Sequence, residues 1–115
     1  PQQALVLLND PQFVEAARRL AQRMMAGEGF AGEAAERISR AFLEVTARHP
    51  EASELAVLAD LHAVQRRRFA AEPDAAARLS AVGESAVPPD APADLAAYAM
   101  VARALLNLSE TITRN

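Results

Sequence analysis

The chain has 115 residues, 51% of them apolar, a formal net charge of −3 and no cysteine. That length makes one domain, large enough to bury a core without covalent staples. The missing cysteines exclude disulfides, zinc–thiolate sites, thiol nucleophiles and a covalent c-type haem site within these residues. The acidic balance gives no case for nucleic acid, which wants a basic face. No apolar run approaches the roughly 20 residues that cross a bilayer.

The elements read as helix after helix. The opening PQQALVLLND has no Met, so the protein's own N-terminus is expected elsewhere, and no signal peptide is visible. Residues 4–8 (ALVLL) carry no polar side chain and are expected to be buried, here or against an upstream partner. Asp10-Pro11 reads as a helix start, with Pro at the first position, where its missing N–H has no partner to lose. That helix runs to about Ala26 on a stripe of Phe13, Ala17, Leu20 and Met24. Gly27 and Gly29 end it. The second spans about 33–48, with Ala34, Ile38, Ala41, Phe42 and Val45 facing in and Arg37, Arg40, Glu44 and Arg48 facing out. His49-Pro50 breaks it, because the residue before Pro avoids the helical region.

A third helix spans about 51–71 on Leu55, Leu58, Leu61, His62, Gln65 and Phe69, with Glu51 and Glu54 in its first turn, where the dipole favours them. A short fourth covers about 74–82 with Leu79 and Val82, closed by Gly83. A loop with Pro88, Pro89 and Pro92 leads into the last helix, about 93–110. Its stripe is Leu95, Tyr98, Val101, Ala102, Leu105, Leu108 and Ile112. Alanine supplies 28 of the 115 residues; it is the best helix former and lets helices approach closely. The fold class is therefore all-α: a compact array of four to five helices with short Pro/Gly connections, forming one domain over 1–115. The first and last helices, with the widest apolar faces, are expected at its centre.

No catalytic, cofactor or metal constellation stands out. His62, on the apolar stripe, has Leu58 and Arg66 as helical neighbours. It reads as a hydrogen-bonded, half-buried histidine rather than a ligand or base. His49 reads as a helix-end residue that complements the dipole. Arg66, Arg67 and Arg68 point about 100° apart and so form no single anion surface. They read as a solvated helix end, as do Arg18, Arg19 and Arg23, with Glu15 one turn before Arg19. Met24 and Met25 read as core and core edge, although a Met pair also suits an adaptable groove. Gly83-Glu84-Ser85 has the Gly-x-Ser pattern of a nucleophile turn, but helix precedes it and Val87 stands where the second Gly should be. It reads as a helix stop.

Three stretches together resemble a known family: PQQALVLLNDPQFVEAARRLAQRM, RISRAFLEVTARHPEASELAVL, and AVGES followed by LAAYAMVARALLNLSETITRN. The wording is similar to the C-terminal part of a planctomycete-type domain-of-unknown-function family, found in large exported proteins that often carry a cytochrome-c-like domain. Ala86, where that family often has Pro, and Ser109, where it often has Asp, depart from the pattern. The resemblance implies an exported or periplasmic bacterial protein of which this chain is the C-terminal fragment, any haem being bound elsewhere. The expected function is a non-catalytic structural or interaction module, with Gly83, Glu84 and Ser85 as a candidate docking loop. Its expected partners are upstream domains of the parent chain or a second copy, with no nucleic acid and no membrane span. The alternative is an accessory part of an enzyme whose active site lies mainly upstream.

Overall fold

The computed structural model describes residues 11–26, 32–80 and 92–114, and every element among them is a helix. They are α1 (Pro11–Ala26), α2 (Ala34–Thr46), α3 (Ala52–Ala71), α4 (Pro73–Ser80) and α5 (Pro92–Arg114). Three of the five begin on proline, the residue that loses least at a helix start. The expected all-α array is what forms. The apolar opening 4–8, Gly27 and Gly29, Val82 and the candidate docking loop Gly83–Ser85 lie outside the described residues.

α5 is the axis of the domain and packs against each of the other four helices, most extensively against α1 and α3. Leu95, Ala96, Ala97, Tyr98, Ala99, Val101, Ala102 and Leu105 are all buried, so its first half is covered nearly all round. Alanine makes this possible, because small side chains let the surrounding helix backbones approach. Ala17 and Ala21 of α1 and Ala41 of α2 are buried in the same core, beside Leu20, Met24, Ile38, Phe42 and Leu58. A smaller cluster of Phe69, Ala76 and Ala96 ties α3, α4 and α5 together.

Polar side chains fix the helix ends. Gly32 has φ +89°, in the left-handed region, and leads into α2. Arg37 does not face solvent as its place on the outer side of α2 suggests. Its Nη1 donates to the carbonyls of Met24 (2.8 Å) and Met25 (2.6 Å) at the end of α1, and its Nε donates to Gly32 O (2.8 Å). A guanidinium can reach back this way to satisfy the orphan carbonyls of another helix. At the end of α2, Ala47 adopts the left-handed conformation and its N–H donates to Leu43 O, while Thr46 Oγ1 donates to Phe42 O at 2.7 Å. The cap therefore comes from Ala47 and Thr46, not from His49, which is exposed.

Arg48 then clamps the turn. It donates in a bidentate pair to Glu54 (2.9 Å to each oxygen), and the Glu51 N–H donates to the same carboxylate at 2.8 Å. The Arg48 hydrogen bonds first, and the Glu51 N–H second, pull the Glu54 pKa down to about 2. Ser109 Oγ donates to Val45 O at 3.2 Å, joining α5 to the last turns of α2. An ionised Asp at position 109 has no proton to make that donation.

Candidate functional site

A buried titratable group lies between α3 and α5. His62 stands on the inner face of α3, only 7% exposed. Its ring stacks on Tyr98 of α5, centroid to centroid 4.3 Å and tilted by 41°. Its Nε2 is 3.9 Å from Asp94 Oδ1, beyond hydrogen-bond range, and has no hydrogen-bond partner among the described residues. Arg66, one turn after His62, holds that oxygen through its Nε at 2.8 Å. Sequence periodicity places His62 on the inner face correctly. It misses Asp94, Tyr98 and the Arg66–Asp94 pair, because those contacts join residues far apart in the chain. Arg66, exposed as expected, is thus also an interhelical tie, while Arg68 stays local, on Gln65, Glu72 and the Phe69 ring.

Burial is the main cause that pushes the His62 pKa below its ordinary value; Asp94 opposes the shift and Arg66 adds to it. Burial also raises the Tyr98 phenol pKa. A histidine with a depressed folded-state pKa takes its proton more readily in the unfolded chain. Stability therefore falls as the pH drops through the ordinary imidazole value of about 6.5, and levels off below the folded-state pKa. Thermal unfolding of the wild type and of His62→Gln, compared from about pH 8 to about pH 5, should show the wild type losing ground on acidification. A gap that stays constant over that range would mean that His62 is protonated as easily folded as unfolded. The Glu54 contribution is separable. It is present above the ordinary carboxylate pKa and is lost only as the pH falls towards about 2.

The second feature is an apolar groove of about 480 Å³ between α3 and α5, lined by Val57, Leu58, Leu61, Ala104 and Leu108, with Ser53, Glu54 and Asn107 at its edge. Val57 is 68% exposed, Val64 41% and Leu108 38%. The single stripe expected on α3 is in fact two. Leu55, Leu58, His62 and Phe69 turn in, while Val57 and Val64 turn out and Leu61 lies between the two faces. Leu108, expected in the core, sits on the rim of this groove, one turn past buried Leu105. Two smaller hollows lie elsewhere, one beside Arg66, Phe69, Pro73 and Asp94, the other beside Arg40, Leu43, His49 and Leu55.

One further cation departs from the sequence expectation. Arg18, solvated by its pattern, is 1% exposed, with Nη2 donating to Glu15 Oε1 at 2.7 Å. Glu15 also accepts from Arg19 at 3.1 Å, as its spacing predicts, and the Arg18 hydrogen bond is the main cause of its lowered pKa. Ala17 and Ala21 beside Arg18 are buried too, so α1 is covered over a wider arc than its one stripe implies. Arg23 pairs with Glu44 of α2. Met24 is core and Met25 its edge, as expected. Among the described residues no cluster of His, Asp and Glu is arranged to hold a metal ion, and no helix is long and apolar enough to cross a membrane.

A family model described as PSD1, protein of unknown function (DUF1553), matches residues 1–62, more than half of the 115. The chain belongs to this family. Within the described residues, the PSD1 match takes in α1, α2 and α3 as far as His62; the rest of α3, α4 and α5 lie beyond it. No curated protein and no solved structure matches the chain.

Proposed function

We propose that this chain is a non-catalytic helical interaction module, the C-terminal piece of a larger, exported bacterial protein of the planctomycete type that often carries a cytochrome-c-like domain. The wording of the three stretches quoted above supports that context, as does membership of a family of unknown function. One observation carries the interaction role. The domain buries a core drawn from all its helices, yet leaves Val57 and Leu108 open along one groove, with Val64 exposed two turns further along α3. An apolar face rimmed by polar groups is the usual mark of a surface that another element covers. The alternative, an accessory part of an upstream active site, would draw on the Ser85 loop or the N-terminal segment, which lie outside the described residues, or on His62 and Tyr98. The latter two are sealed in the α3–α5 seam, which suits a structural contact better than a site that a substrate must reach.

Side-chain footprinting tests the reading. Val57 and Leu108 should react freely in the dilute isolated chain and become protected when the chain is part of its assembled parent protein. Equal reactivity in both states would sink it. So would loss of a parent activity on His62→Gln with the fold intact, which would move the chain to the accessory-enzyme reading.

A further inference from the structure

The open face of α3 has its own pattern. Val57, Leu61 and Val64 follow at spacings of four and three, the seam of a short coiled coil, with Glu54 one step before and Arg68 one step after. The charges are divided along the helix. Glu51, Glu54 and Asp60 stand towards its start, and Arg66, Arg67 and Arg68 towards its end. Glu54 is held by Arg48 and Arg66 by Asp94. Asp60 and Arg67, both exposed, make no ion pair among the described residues.

We propose that this face pairs with a second copy of the chain, α3 against α3, antiparallel about a two-fold axis. The inference rests on the interaction-module reading and names its partner. A two-fold antiparallel pair brings the same flank of each helix together. When Leu61 faces the partner's Val64 and Val64 faces the partner's Leu61, Val57 lies under the aliphatic stem of the partner's Arg68. Asp60 and Arg67 occupy the same flank, seven residues apart. In this register Asp60 meets the partner's Arg67, and Arg67 meets the partner's Asp60. A parallel pair would instead bring opposite flanks together and leave Asp60 and the partner's Arg67 on separate sides of the seam, so that neither pair could form. The charges therefore select the antiparallel orientation, while the short seam supplies the apolar contact. Leu108 extends the contact from α5.

The test is the mass of the 115-residue chain by size-exclusion chromatography with light scattering over a series of concentrations. The expected result is a concentration-dependent dimer. Asp60→Arg or Arg67→Asp alone places like charges together twice and should weaken it on the order of tenfold. The double variant, with both charges exchanged, should regain wild-type association. Val57→Asp should give a monomer with unchanged helical circular dichroism. A monomer at every concentration overturns the proposal, and so does a dimer indifferent to the charge exchange. If the chain is monomeric but Val57 and Leu108 are still protected in the parent protein, the module reading stands and only the second copy falls.

Discussion

Leu105→Ala should lower the unfolding free energy by about 2–5 kcal/mol, measured by urea denaturation with an unchanged slope. Leu105 is fully buried on the axial helix, in one cluster with Met24, Phe42, Leu58 and Val101. Truncation removes apolar atoms and leaves a cavity among side chains from four helices, and rigid helix backbones do not collapse to fill it. Leu108→Ala, one turn further on, is the control. Its side chain is more than a third exposed, and its loss should cost less than about 1 kcal/mol. Equal costs at the two positions would mean that the α5 stripe ends a turn later than the structure places it.

That contrast also shows what a sequence can convey. All five helices are legible, since proline starts, polar outer faces and spacings of three and four each report a local property. α5 runs on to Arg114, a turn past expectation. The inner residues Ile38, Ala41, Phe42, Leu58 and Phe69 follow from periodicity alone. Buried alanines are less visible. Ala96, Ala97 and Ala99 belong to no single stripe, yet all are buried, because being small is what admits a neighbouring helix.

The cations are the least legible. A helical wheel says which residues share a face, but not which second helix brings a partner to it. So the wheel puts Arg37 in solvent although it caps α1, and it does not show that the exposed Arg66 holds Asp94. It exposes Arg18, which is buried on Glu15. The second apolar stripe of α3 is hidden for a related reason. Apolar residues on two sides of a helix blur its amphipathic signal, and only the tertiary fold shows which side is used. The candidate loop Gly83–Ser85 lies outside the described residues, and the docking surface proposed above is a helix face that the sequence pattern conceals.

Phe42→Ala should cost about 3–5 kcal/mol, the largest single loss expected in this domain. Phe42 is wholly buried and is the central apolar residue of α2. Its ring does two separable things. Its volume fills the space between α2 and the core, and its face carries the Arg48 guanidinium, 4.9 Å from the ring centre. Arg48 is the residue that clamps Glu54 across the turn into α3. Phe42→Leu keeps most of the volume and discards the face. If volume dominates, Phe42→Leu should recover most of the loss, leaving a deficit on the order of 1 kcal/mol, the scale of one partly exposed cation–π contact. If the face dominates, Leu and Ala should be equally costly, and Arg48→Ala should add little to either. The packing argument predicts the first outcome. The many small dispersion attractions around a buried ring together outweigh its single interaction with a cation that Glu54 already holds.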